Sequence, residues 1–336
     1  MGIRRGPVEN MDLSFWKDRR VFVTGASGLL GSALVEELLA RGADTVALVR
    51  DWAPSSRLLS GPWAARTNIV RGELEDLPLL VRALNEYEID SVFHLGAQTI
   101  VGASSRSPIS TFEANIRGAW NMLEAARTCG RRIDRVVVAS SDKAYGSHDR
   151  LPYTEDFPLQ GRFPYDVSKS CADLIALSYF HTYRLPISIT RCGNLFGPGD
   201  LNFNRLIPGT IRSALRGERP VIRSDGKSVR DYVFVRDAVA AYLLLAERLP
   251  GEGFAGEAFN FGVESPMSVL EMVDRILTVM DRRDLEPAIM NEASHEIPRQ
   301  FLDCSKARAK LGWSAGFPLD DALRATVAWY RTTLRF

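Results

Sequence analysis

Cysteine and histidine are scarce in this chain of 336 residues, which holds four of each. Cys129, Cys171, Cys192 and Cys304 form no C-x-x-C pair, and His94, His148, His181 and His295 fall at no ligand spacing. Zinc is therefore not expected, and isolated cysteines suit small core positions in a reducing, cytoplasmic setting. No apolar run reaches the roughly 18 residues that a membrane span needs. The opening MGIRRGPVENMDLSFWKDRR is basic but has no apolar stretch of the signal-peptide kind. Like charge never accumulates, and Arg19-Arg20 and Arg131-Arg132 read as solvated loop pairs. A net charge of +1 without basic blocks argues against nucleic acid or an anionic membrane as partner. Internal repeats and low-complexity tracts are also missing. What remains is a soluble globular chain with enough apolar residues for a sizeable core, in one large domain or two smaller ones.

The first half alternates short Val-rich runs with longer amphipathic ones. Strands are expected at VFVTG (21–25), TVALV (45–49), NIV (68–70), SVFHL (91–95), RVVVAS (135–140) and ISIT (187–190). Helices are expected over Leu29–Ala40, near 76–86, near 110–128 and from Tyr165 to about Tyr183. Strands separated by helices imply a parallel sheet with both faces covered, a doubly wound α/β fold of the Rossmann type. From Arg191 glycine and proline become frequent and segments shorten. The boundaries that follow are a dinucleotide-binding domain over 1–190 and a smaller substrate lobe over 191–336, with 237–262 returning to the first domain.

Gly25-Ala26-Ser27-Gly28-Leu29-Leu30-Gly31 joins the first strand to the first helix. Glycines there let the backbone turn sharply and approach a pyrophosphate lying on the helix N-terminus. At the end of the second strand stand Arg50 and Asp51. An acid would hold the adenosine ribose diol and an arginine would accept a 2′-phosphate, so NAD leads and NADP stays open. Tyr165 and Lys169 form Tyr-x-x-x-Lys, a spacing that puts both on one face of a helix. A nearby ammonium and a positively charged nicotinamide ring would favour phenolate, lowering the tyrosine pKa from its usual value of about 10. Ser141, 24 residues upstream of Tyr165, sits where the fifth strand should end, on the rim where open α/β sheets bind ligands.

With Ser141, Tyr165 and Lys169 in place, the chain resembles the extended short-chain dehydrogenases/reductases, the epimerase and dehydratase family of nucleotide sugars. Further motifs carry the resemblance: His94-Leu95-Gly96-Ala97-Gln98, with Gly96 for the more usual alanine; Asn115 in ANIRG; and Arg191-Cys192-Gly193-Asn194-Leu195-Phe196-Gly197-Pro198. So do Arg230-Asp231-Tyr232-Val233-Phe234-Val235 and the ending Asp303-Cys304-Ser305-Lys306-Ala307 before Leu311-Gly312-Trp313. The resemblance implies cofactor contacts from Glu73 and Leu74 in the G-E-L-E segment and from Leu95, Gly96 and Ala97. It implies substrate contacts from Gln98, Asn194, Arg205, Leu206, Arg223, Arg230 and Arg299, the arginines suiting phosphate. It also implies a homodimer built on helices that carry Trp120, Met122, Leu123, Leu174, Leu177 and Phe180.

Asp142-Lys143 directly after the serine is similar to CDP-glucose 4,6-dehydratases, as are Phe15-Trp16, Gly199-Asp200 before Arg205-Leu206-Ile207-Pro208, and Arg223. Two features depart from that group: a serine where it has threonine, and a glycine loop without its lysine. The resemblance implies Asp142 as general acid at the sugar C6 hydroxyl, and Lys143 either as the C5 base or as a cation beside an enolate. A 4-epimerase acting on a UDP-linked sugar would need neither residue, and a non-catalytic dinucleotide-binding sensor would need none of the set.

Overall fold

The computed structural model describes residues 14–130, 132–292 and 297–334. Arg131 and His295 therefore lie outside the described residues. Six parallel strands follow in chain order: β1 (Arg20–Thr24), β2 (Asp44–Val49), β3 (Asn68–Arg71), β4 (Ser91–His94), β5 (Arg135–Ala139) and β6 (Ile187–Cys192). A seventh, Glu257–Phe261, pairs in parallel with β6, so the sheet runs in the order seventh strand, β6, β5, β4, β1, β2, β3. The central strands β1, β5 and β6 are buried on both faces, as a parallel sheet covered on each side requires, while the edge strand β3 is largely exposed. The order reverses between β1 and β4, and a crevice opens there beyond the carboxyl ends of the strands.

Helix Leu29–Ala40 packs Leu34, Val35 and Leu38 into one core with Ala241 and Leu245 of helix Val235–Arg248. Each such aliphatic side chain contributes ~1.5–3 kcal/mol by leaving water. Trp16 is fully buried just ahead of β1, and its indole donates to Glu247 at 2.7 Å.

The single helix expected near 110–128 is broken. A helical turn at Pro108–Phe112 runs into a π-helical stretch, Glu113–Arg117, before Gly118–Thr128 continues as α-helix. The π stretch turns Asn115 inward, where its amide brackets Gln98 through the backbone N–H at 2.6 Å and carbonyl at 3.1 Å, and donates to Ser168 at 2.9 Å. Met122 and Leu123, expected on an outer face, are fully buried against the sheet; Trp120 and Leu174 are exposed.

Beyond β6 the chain makes short strands. Asn194–Phe196 pairs with Tyr232–Phe234, and Val229–Arg230 lies between Met267–Ser268 and Arg299–Gln300. Asn194 and Leu195 of these strands line the crevice, and Arg230 and Tyr232 line a smaller cavity beside it.

Candidate active site

The crevice is a cavity of about 980 Å³ that runs from Arg50 and Asp51 at one end to Ser141, Tyr165 and Asn194 at the other. Its floor begins at the glycine loop. Gly25 has φ +67°, and a Cβ there would meet the backbone of Leu95 and Gly96 at 2.8 Å. A Cβ on Gly31 would lie 2.2 Å from the Gly25 carbonyl. Gly28, the N-cap of helix Leu29–Ala40, supplies no capping side chain, and the first turn has no acid. The N–H groups at this helix end therefore face the cavity, where Ser27, Leu29 and Leu30 also line the wall. A cradle cleared of side chains beneath a positive helix end fits a dinucleotide pyrophosphate.

Thr24 ties this floor to β4. Its hydroxyl accepts from the N–H groups of Leu95 (3.1 Å) and Gly96 (2.9 Å), so its own proton goes to His94 Nδ1 at 3.0 Å. His94 is thereby neutral, and burial next to Lys169 holds its pKa down to about 3. A structural tautomer, not a ligand, explains this histidine, and no cluster able to hold a metal exists among the described residues. The unusual Gly96 also has a reason: a Cβ there would press on Leu74 at 3.0 Å and on Thr24 Oγ1 at 3.1 Å.

Arg50 and Asp51 both reach the cavity and pair with each other at 2.7 Å. Leu74, Gly96, Ala97, Leu95 and Gln98 line it as expected. Glu73 does not. Its side chain is exposed outside the wall, while Gly72, Leu74 and Glu75 form this edge, because the chain turns toward helix Leu77–Glu86 immediately after β3.

Tyr165 and Lys169 are buried on the long helix Pro164–Tyr183. The Lys169 ammonium donates to the Ala139 carbonyl at 2.8 Å, and burial lowers its pKa to about 8. The Tyr165 phenol does not show the lowered pKa anticipated from a lysine neighbour. Burial and the Asp142 carboxyl push it up to about 12, against a smaller downward pull from the Ser141 hydroxyl.

Ser141 donates to Asp142 Oδ1 at 2.9 Å and caps the short 3-10 turn Asp142–Tyr145. Asp142 lies beneath the wall, only 2% exposed, and desolvation raises its pKa above the usual carboxylate range. Gln300 donates to its backbone carbonyl at 2.9 Å. Lys143, next in sequence, lines the main cavity and also a smaller one of about 290 Å³ beyond it. Asn194 and Arg205 stand at the same junction, and Leu206 and Arg230 line the smaller cavity.

Arg205 is internally engaged, bonded to Asp200 at 2.8 Å and to the Leu195 carbonyl at 2.8 Å. Arg223 reaches the large cavity and bonds Asn204 at 2.9 Å. Arg299 departs from expectation. It is exposed, stacks over Phe301, and lines neither cavity, because Gln300, its neighbour in the strand, takes the inward position. Sequence reasoning missed Asp166, which faces the smaller cavity beside Lys143. Burial raises it to about 6, with Lys143 pulling the other way. Its position next to Tyr165 in the first helical turn was the available signal.

Residues 21–262 match the NAD dependent epimerase/dehydratase family, and the chain belongs to that family. Its members are NAD-dependent enzymes, and the glycine cradle described above suits that cofactor. Among relatives, the CDP-glucose 4,6-dehydratase of Salmonella typhimurium is 31% identical over 97% of this chain and 94% of its own. A dTDP-glucose 4,6-dehydratase of Streptomyces venezuelae, solved with NAD bound, superposes with a TM-score of 0.83 at 31% identity, covering 93% of this chain and 97% of that one. The UDP-glucose 4-epimerase of Thermotoga maritima, solved with UDP-glucose, gives a TM-score of 0.85 at 27% identity over 94% of this chain and all of that one.

Proposed function

We propose that this enzyme is a nucleotide-sugar 4,6-dehydratase with CDP-glucose as substrate. The observation that carries the reading is the buried Asp142, raised toward its acid form beside Ser141 and followed by Lys143 in the cavity wall. The similarity to CDP- and dTDP-glucose 4,6-dehydratases over nearly the full chain supports the reaction, and Asp142-Lys143 after the serine is what favours the cytidine nucleotide. Gly25, Ser27, Gly28, Leu29, Leu30 and Gly31 would hold the pyrophosphate of NAD, Asp51 the ribose, and Lys169 the nicotinamide side. When bound, NAD supplies an acceptor for the hydride of sugar C4 and returns that hydride to C6.

In this reading Tyr165 takes the proton of the C4 hydroxyl, with Ser141 steadying the oxygen. The 4-ketone so formed acidifies the C5 hydrogen. Lys143, in the cavity wall, takes the C5 proton as the base, stands as a cation beside the enolate, and returns the proton to C5 when the hydride reaches C6. Asp142 lines neither cavity and gives its proton to the C6 hydroxyl by way of the Ser141 hydroxyl bonded to it, and the hydroxyl leaves as water. Arg223 and Arg230 would meet the nucleotide end of the substrate, and the paired Arg205 would donate through its remaining N–H groups. The partner surface of this reading is a second copy, joined through the exposed Ile109, Trp120 and Leu174. Four free cysteines suit the reducing cytoplasm.

The test is the mass of the product from purified protein and CDP-glucose without added cofactor. Loss of one water is expected. A product of unchanged mass from every accepted nucleotide sugar means a 4-epimerase, and no turnover of any of them removes the catalytic reading.

A further inference from the structure

Asp200 is buried in an irregular stretch of chain, yet its carboxylate and its carbonyl are both engaged. Its Oδ1 accepts from the Asn202 N–H at 3.1 Å and its Oδ2 from Arg205 at 2.8 Å. Its carbonyl accepts from the hydroxyl of Tyr330, which is fully buried on helix Leu319–Thr333 and packs its ring against Phe203 at 6.1 Å. The wall of the main cavity is laid out from this one residue. Asn202 Oδ1 accepts from the Asn204 N–H at 3.2 Å, and Asn204 Oδ1 accepts from Arg223 at 2.9 Å. Asn202, Asn204, Arg205 and Arg223 all line that cavity.

Arg205 is held on two sides, by Asp200 and by the Leu195 carbonyl, each at 2.8 Å. A guanidinium carries five N–H groups in one plane, so two anchors fix that plane and leave three donors without a partner among the described residues. The side chain is 38% exposed and lines both cavities. It also stands close enough to the Tyr165 phenol for its charge to pull that pKa downward. A long arginine side chain loses rotamer freedom when a ligand fixes it, and anchoring it in advance removes that loss from the binding step.

We propose that Asp200 and Tyr330 are positioning residues for Arg205: the buried carboxylate fixes the guanidinium, the tyrosine hydroxyl fixes the Asp200 peptide, and the remaining N–H groups donate to oxygens of the bound nucleotide sugar. The helix Leu319–Thr333 thereby takes part in substrate recognition without lining either cavity. The inference rests on the reading of Arg205 as a substrate contact and not on dehydration; a 4-epimerase would use the same wall.

The experiment is a double-mutant cycle on steady-state constants, with CDP-glucose as substrate, or with UDP-glucose where only that is turned over. Asp200→Asn keeps an acceptor for Asn202 but removes the charge held against Arg205. It should raise KM about 5- to 30-fold and leave kcat within about threefold. Tyr330→Phe, which keeps the buried ring, should raise KM about 2- to 5-fold. In an Arg205→Ala background neither change should raise KM further by more than about twofold, because both act through Arg205. Unchanged NAD affinity by calorimetry shows that Asp200→Asn and Tyr330→Phe fold. Effects of full size in the Arg205→Ala background, or an unchanged KM in both single variants, overturn the assignment. A product of unchanged mass defeats the dehydratase reading alone and leaves this comparison intact, whereas a wild type that turns over neither substrate removes the proposal as well.

Discussion

Burial acts on Asp142 and Tyr165 in the same direction, yet the proposed reaction asks one to give a proton and the other to take one. For Asp142 burial acts in the useful direction, because it favours the form that can give a proton to a departing hydroxide. Asp142→Asn should still reduce its bound cofactor with substrate but release about 100- to 10,000-fold less dehydrated product, read by absorbance and mass spectrometry. The sign with pH follows. Water loss from the oxidised intermediate should be fast while Asp142 is protonated, and should slow as pH rises through its elevated pKa, above the ~3.9 of a free aspartate. A water-loss step that speeds up over that range, in single-turnover measurements, would contradict the assignment. Arg230→Ala should raise the Michaelis constant and leave NAD affinity intact; an unchanged constant removes Arg230 from the substrate. The serine, tyrosine and lysine were legible because their spacing is local. The burial of Asp142 was not, since Gln300, which bonds its carbonyl, lies 158 residues further along the chain.

At the scale of elements, the Val-rich strands and the glycine loop could be read directly, because a parallel sheet and a backbone turn both leave composition behind. The π stretch could not, since it exists to aim Asn115 at Gln98 and Ser168, contacts made across 17 and 53 residues. The loop makes a firm prediction. Gly31→Ala must displace the Gly25 carbonyl, a backbone atom, so NAD affinity should drop at least about tenfold by calorimetry; unchanged binding would mean that the cradle is not where the pyrophosphate lies. Asp237, at the start of helix Val235–Arg248, offers a second prediction. Its Oδ1 accepts from Gly316 at 2.7 Å, its Oδ2 is buried without a partner among the described residues, and desolvation raises it to about 6. A free aspartate ionises at ~3.9, so between those values the folded state binds more proton than the unfolded one and stability falls as pH rises. Asp237→Asn removes that slope. Its melting temperature relative to wild type should be higher at pH 7.5 than at pH 4, by an amount corresponding to ~2 kcal/mol. A difference independent of pH would show that the carboxyl titrates normally.

For the whole molecule, Trp120 at 44% exposure and Leu174 at 57% share the outer faces of two helices that pack side by side. Large exposed aromatic and aliphatic groups on packed helices are candidates for an association surface. Trp120→Glu combined with Leu174→Glu should convert a dimer to a monomer in sedimentation at micromolar protein; a wild type that sediments as a monomer would end the proposal. The seventh strand bears on assembly of another sort. The chain leaves the sheet at Cys192 and re-enters it at Glu257, so the Rossmann sheet lacks its last strand until residues 193–256 have been made. On the ribosome, β6 must wait as an open edge through the synthesis of much of the substrate wall. The same threading bears on protein engineering. A graft joined at a single cut after residue 192 would carry a foreign edge strand along with its new substrate residues, and the donor's sheet register, not its specificity, would decide whether the hybrid folds.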